Sequence, residues 1–345
     1  MAVLVTTASA QSSLAVFGVA DAAIRNGKSG PGGSVTQMVS GAYSSSRWGL
    51  RGQEDMGGGL RASFWLESFL SLDTGAITPQ GFQRRSTVSL SDTSWGELRM
   101  GRDYTPTHSN WARFDPFGYV GIGAVQLFSL SATGNTPVTA AFGANPNTVQ
   151  RANNGVQYLL PGNAWGLEGG LVYNFGEGGK AADDQHQSVG GRLGVKLGPV
   201  FVSGAMFNTK NDLTKGDTFK DSALAASYEL PLVRISGGIR RFTFGGSRQN
   251  NLLLAAVVPV GVQEFKASWN RASMGGKVGA TSIENDRADQ FAVGYVYHLS
   301  KRSHLYSTVA FMKNKGNARF VVPGAPAGTA GVSSRGLEFG MNHEF

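Results

Sequence analysis

Seven arginines, Arg47, Arg51, Arg61, Arg84, Arg85, Arg99 and Arg102, crowd into the first third of the chain. A guanidinium keeps its charge at any physiological pH and offers a planar fork of donors, which suits it to anions. In extended strands successive side chains alternate between two faces. With the apolar neighbours turned one way, parity sends Arg47, Arg51, Arg61, Arg85 and Arg99 the other way. Arg84 and Arg102 fall on the opposite parity, but at strand ends, where a loop can turn them inward. The chemistry this series offers is electrostatic. Guanidiniums stacked along a confined water path concentrate anions and repel cations. Their plainer use is to solvate a polar wall and neutralise acids such as Glu67. Asp103, Tyr104, His108, Arg113 and Asp115 follow, before a run from Pro116 to Gln150 without a single charge. Asp115 reads first as a turn former ahead of Pro116 and Gly118.

Catalytic and metal chemistry finds little support. The histidines, His108, His186, His298, His304 and His343, show no H-x-x-x-H or H-x-E spacing, so no metal site is expected. The absence of cysteine removes thiol nucleophiles, disulfides and Cys-zinc sites together. There is no G-x-S-x-G elbow. The run Gly57-Gly58-Gly59 precedes no helix that would hold a phosphate, and reads as a tight turn. Basic residues are scattered rather than clustered with aromatics, which argues against nucleic acid as a partner. No cofactor is implied.

Composition points to the elements that hold the arginines. Of 345 residues only 16% are charged, against roughly 25% in soluble domains. The 49 glycines amount to about double ordinary usage, without a collagen period. The net charge is +8, and arginine outnumbers lysine almost two to one. No run of about 18 apolar residues exists, which excludes membrane helices. Period-two alternation dominates instead. Leu60, Ala62, Phe64 and Leu66 interleave with Arg61, Ser63, Trp65 and Glu67, and Leu337, Phe339, Met341, His343 and Phe345 with Glu338, Gly340, Asn342 and Glu344. A soluble sandwich alternates too, so the connections decide. Seven tight turns, at 54–58, 92–96, 161–163, 198–199, 230–232, 259–261 and 300–302, alternate with eight long polar loops. The loops run over 26–34, 73–82, 103–150, 176–185, 208–220, 244–250, 272–286 and 314–333. Sixteen strands result, with short turns at one end and long loops at the other, as in a transmembrane barrel. Closure leaves no unpaired edge in lipid. Tyr173, Phe175, Phe242, Trp269, Tyr295, Tyr297, Phe311, Phe339 and Phe345 fall near strand ends, where an interfacial aromatic girdle is expected. Ala8-Ser9-Ala10 resembles a signal-cleavage site, so residues 1–10 read as the remnant of an export signal and 11–345 as one barrel domain beginning at Gln11.

The segment Ser46-Arg47-Trp48-Gly49-Leu50-Arg51-Gly52-Gln53-Glu54-Asp55-Met56-Gly57-Gly58-Gly59-Leu60 resembles the second-strand and first-turn signature of Gram-negative general-diffusion porins, of the beta-proteobacterial type. Leu98 to Pro106, Asp115-Pro116-Phe117-Gly118 and Gly294 to Arg302 strengthen the resemblance. Trp48, Gln53 and the long charge-free half of the third loop depart from it. The resemblance implies an all-β, sixteen-stranded antiparallel barrel with short periplasmic turns and long extracellular loops. It implies a homotrimer in the outer-membrane lipid of a Gram-negative bacterium, and a third loop folded inward to narrow the pore. In such a pore Asp103 and Asp115 stand opposite the basic wall and set up a transverse field. Phe345 matches the C-terminal aromatic presented to the barrel-assembly machinery. The expected function is passive diffusion of small hydrophilic solutes, favouring small anions. The alternatives are a non-selective or cation-preferring porin, and a plugged barrel that acts as a surface adhesin.

Overall fold

A computed structural model of the protein describes residues 12–77, 81–131, 134–163, 165–178, 180 and 186–345. The proposed signal remnant at 1–10 and Gln11 lie outside the described residues. Alternation of apolar and small or polar residues produces an antiparallel sheet that closes on itself. In chain order its strands are β1 (Ser12–Ser29), β2 (two segments, Ser34–Ser40 and Arg47–Gly57), β3 (Leu60–Phe69), β4 (Arg85–Asp92), β5 (Gly96–Tyr104), β6 (Arg151–Leu159) and β7 (Leu167–Asn174). They continue as β8 (Gln187–Leu197), β9 (Val200–Lys210), β10 (Phe219–Glu229), β11 (Arg234–Phe244) and β12 (Ser247–Val260). The last four are β13 (Gln263–Val278), β14 (Arg287–His298), β15 (Ser303–Lys315) and β16 (Ser334–Glu344). A short Thr281–Ser282 segment only extends the hairpin after β13. β1 pairs with β16 through Val19–Ser29 and with both segments of β2, which completes a sixteen-stranded barrel.

Outward positions are apolar and exposed, among them Leu171, Leu193, Val293 and Met341, as lipid contact requires. Phe345 closes the seam: its backbone exchanges hydrogen bonds of 3.0 and 3.1 Å with Gly18. A Cβ on Gly18 would come within 2.4 Å of the Phe345 ring, so this position accepts no larger residue unchanged. Two of the expected loops are shorter than their polar sequence suggests. Phe244 pairs with Ser247, so 244–250 holds only a Gly245-Gly246 turn, and β1 runs on to Ser29 before a 3-10 turn at Gly30–Gly32. Pairing persists through polar residues there because the strands rise past the apolar band. Phe242 is also a correction to the girdle. It points inward, fully buried, stacked on Phe219 beneath the third loop.

The loop between β5 and β6 fills part of the barrel. It carries three short helices, α1 (Pro106–Ala112), α2 (Leu127–Leu130) and α3 (Pro137–Phe142). Thr105 caps α1, accepting the His108 N–H at 3.2 Å. Inward wall residues fasten the loop backbone. Ser236 donates to Phe114 O at 2.7 Å, Gln249 to Phe128 O at 2.6 Å and Gln290 to Ile122 O at 2.8 Å. Glu338 in turn accepts the Ile122 N–H at 3.1 Å. Gly238 leaves the niche that takes Trp111, since a Cβ there would lie 2.9 Å from the indole. The loop therefore has a core of its own against the wall, with Trp111, Phe114, Ile122 and Phe128 buried.

Candidate functional site

The break in β2 prepares one side of the passage. Gly41 takes a left-handed φ of +74°, and Asp21 then collects the following chain. Its carboxylate accepts N–H groups from Ala42 at 2.8 Å and Ser44 at 3.1 Å, and the Tyr306 hydroxyl at 2.7 Å. The segment that folds in pins Arg47, which donates to Ser45 O at 2.9 Å and Ser44 Oγ at 3.1 Å. Opposite, the Asp115-Pro116-Phe117-Gly118 turn shapes the loop edge. The buried Asp115 carboxylate accepts N–H groups from Phe117, Tyr119 and Val125 at 3.0, 3.2 and 3.1 Å. Burial pushes its pKa up to about 6. Asp115 is thus a loop former turned into its own turn, and it does not line the passage.

Between these two edges lies a cavity of about 340 Å³. It is lined by Arg47, Arg84, Arg85 and Trp65 together with Tyr104, His108, Tyr119 and Val120. A second cavity of about 400 Å³ continues along the wall past Arg51, Ser63, Thr87 and Ser89. Both cavities share Trp65 and Arg85. The Trp65 ring carries the Arg51 guanidinium 5.3 Å and the Arg85 guanidinium 4.8 Å from its centroid. The acids are already engaged. Glu67 pairs with Arg84, lies 3.8 Å from Arg47 and accepts the Trp65 Nε1–H at 3.2 Å. Asp103 meets Arg99 at 2.8 Å and Arg85 at 3.6 Å, and Glu97 meets Arg99 at 2.8 Å. Arg51 has no carboxylate partner among the described residues.

The remaining predicted residues are placed apart. Arg84 is turned inward by Glu67 and by Tyr104 Oη at 3.0 Å, as its strand-end position allows. Arg102, by contrast, stays in the wall. It keeps its outer parity beside a bulge between Gly101 and Asp103, donating to Gln83 O at 2.6 Å and to Asn153. Arg61 lies in a separate cavity near the short turns, with Glu97, Glu168 and Arg192.

Three features escaped the sequence reading. Arg151, buried behind the passage, donates to Tyr104 Oη at 2.9 Å and lies 4.4 Å over its ring. The His108 ring stacks on Tyr104 at 4.5 Å. Burial, with Arg151 and other arginines nearby, holds its pKa well below the usual histidine value, so it adds no charge. The loop is also bolted to the wall by Arg240, which pairs with Asp221 at 2.6 Å and donates to Tyr119 Oη at 3.1 Å. Thr107 of α1 donates to the same carboxylate at 2.6 Å. Inward parity on β10 and β11 was the available signal for Asp221 and Arg240.

Comparison with known proteins agrees with this architecture. The Gram-negative porin family signature matches residues 1–317. Outer membrane porin protein 32 of Delftia acidovorans is 35% identical, over 98% of this chain and 95% of its own. An outer membrane porin protein of Bordetella pertussis is 28% identical, over 80% of this chain and 79% of its own. The solved anion-selective porin from Comamonas acidovorans superposes with a TM-score of 0.83 at 33% identity, covering 97% of this chain and 100% of that one. With its closed barrel, its fastened inner loop and these relatives, the chain belongs to the Gram-negative porins and is an outer-membrane channel protein rather than an enzyme.

Proposed function

We propose that the pore is a passive diffusion path for small hydrophilic solutes that favours anions, through the wall formed by Arg47, Arg51, Arg84, Arg85 and Arg99. The observation that carries this reading is the charge balance at the narrowing. Four guanidiniums, Arg47, Arg51, Arg84 and Arg85, line the two cavities with one carboxylate, Glu67, and both Glu67 and the Asp103 carboxylate beside Arg85 are already paired. The loop contributes His108, Tyr119 and Val120 and the end of β5 contributes Tyr104, none of them anionic. The transverse field expected from loop acids is therefore weak, because Asp115 is spent on the loop backbone and Asp103 on two arginines. The mechanism is electrostatic focusing with a size limit. The solved relative described as anion-selective lends support. A homotrimer is part of the same reading. Reversal potential across a planar bilayer under a KCl gradient tests it. Anion preference is expected, and cation preference or the absence of conductance would overturn it.

A further inference from the structure

At the short-turn end of the barrel two histidines form a pair that diffusion does not use. His298 ends β14 and His304 stands near the start of β15, on either side of the turn at 300–302. The register sets them directly across from each other. Both point to the lumen, because the alternating Tyr297 and Leu305 are exposed on the outer face. Their Nδ1 atoms lie 2.8 Å apart, with the ring planes at 87°. The Tyr43 ring, stacked on Tyr306 at 5.2 Å, lies 5.7 Å from the His304 ring and packs it in place. Spacing patterns of the H-x-x-x-H kind describe one face of a helix, so they pass over two residues that a hairpin brings together.

The surroundings suit a cation. Glu264, across from Val296, and Glu344, two places beyond the Asn342 that lies across from His304, flank the pair on the same lumenal face. Lys266, whose field reaches His304, is bound to Glu264 at 3.0 Å. By themselves, one ring donates its Nδ1–H and the other accepts it. Two adjacent positions of a tetragonal cation, each about 2.0 Å from the metal, stand about 2.8 Å apart, whereas tetrahedral zinc needs about 3.3 Å. The geometry points to a copper(II) site, ligated by His298 Nδ1 and His304 Nδ1, at the short-turn exit of the pore. Imidazole suits copper(II), which also leads the divalent series in affinity. Both rings then carry their proton on Nε2, so the metal replaces the shared hydrogen bond without net loss of a proton. No third His, Asp or Glu completes the set among the described residues, so the remaining positions fall to water. The site is independent of the anion preference, since neither histidine lines the narrowing.

The test is copper(II) binding to the detergent-purified full chain, read by calorimetry and pulsed EPR with copper(II) alone as the probe. One copper(II) per chain is expected, with the modulation of two imidazoles. His298→Gln should weaken binding about tenfold or more, since a lost ligand costs at least what a lost outer-shell partner does. That variant keeps His304 against Tyr43, so the barrel should assemble. His343→Gln, outward and bonded to Ser303 at 2.9 Å, should leave binding unchanged. Zinc(II) should bind more weakly than copper(II). A spectrum with one imidazole or none would overturn the proposal, and it is read on the unmodified chain, whatever the folding of a variant. Binding that persists in His298→Gln, that falls equally in His343→Gln, or that is as tight for zinc(II) would overturn it too.

Discussion

Replacing Asp221 by asparagine should loosen the third loop while leaving the barrel closed. Both side chains of the Arg240–Asp221 pair are 1% exposed, and the carboxylate holds Arg240 through two contacts, 2.6 and 3.0 Å, and Thr107 through a third at 2.6 Å. Removing one partner of such a buried pair costs about 3–5 kcal/mol, because the remaining charge is left uncompensated. The sixteen-strand ladder does not depend on it, so the cost falls on the contacts that tie α1 and Tyr119 to the wall. Taking about 3 kcal/mol as the loop's share, the population with α1 detached rises roughly a hundredfold. Hydrogen exchange read by mass spectrometry should show this directly. Amides in 105–119 should exchange about a hundredfold faster, those of β10 and β11 hardly at all, and single-channel current should become noisier. The apolar pair Asp221→Leu with Arg240→Met removes the stranded charge and should recover most of the protection. Unchanged exchange over 105–119 in Asp221→Asn would refute the bolt.

Gly121 has a φ of +75°, and a Cβ there would stand 2.2 Å from Ala42 O and 2.6 Å from Glu338 Oε1. Gly121→Ala should shift the loop and change conductance, whereas Gly118→Ala, at φ +61° with open space around it, should pay only the backbone strain of about 1–2 kcal/mol and conduct normally. Deleting Phe345 should impair barrel assembly, read as loss of the heat-modifiable band, more than deleting Gly178 from a loop tip. The pH dependence of loop stability should separate into two opposed parts. Asp115, raised from 3.8 to about 6, favours the fold at low pH and loses that contribution as pH rises toward 6, about 3 kcal/mol in full. His108, lowered by burial, favours the fold above its ordinary 6.5 and loses it as pH falls. His108→Gln should therefore leave loop protection falling with rising pH, and Asp115→Asn should leave it rising.

The barrel was legible because alternation and loop length are local signals. Parity alone placed Arg47, Arg51, Arg61, Arg85 and Arg99 on inward faces. Parity put Arg102 on the outer side, where it stays, and it was the loop fold that turned Arg84 but not Arg102 inward; polar strand tops disguised the Gly245-Gly246 turn as a longer loop. For Arg61 parity gives the inward direction but nothing of its position along the barrel axis, which the structure places near the short turns. The loop's fastening to Asp221, Arg240 and Glu338 joins residues more than a hundred positions apart, which no single-strand pattern reveals. Asp115 was legible as a turn former from its neighbours Pro116 and Gly118, and its carboxylate accepts three N–H groups of that loop.

In the proposed function the wall at Trp65 sets a preference for anions. Unit charges about 4 Å apart interact by roughly 4 kcal/mol at an effective dielectric of 20. Passing ions keep much of their hydration, yet even about 1.4 kcal/mol of difference gives tenfold selectivity. The most direct measurement is the reversal potential of Arg51→Gln/Arg85→Gln in a planar bilayer under a KCl gradient. A shift from the anion side toward zero is predicted, with the oligomer intact and Lys210→Gln/Lys277→Gln unchanged. A reversal potential that stays at the unmodified value, or moves as far in the Lys210/Lys277 variant, would contradict the arginine wall.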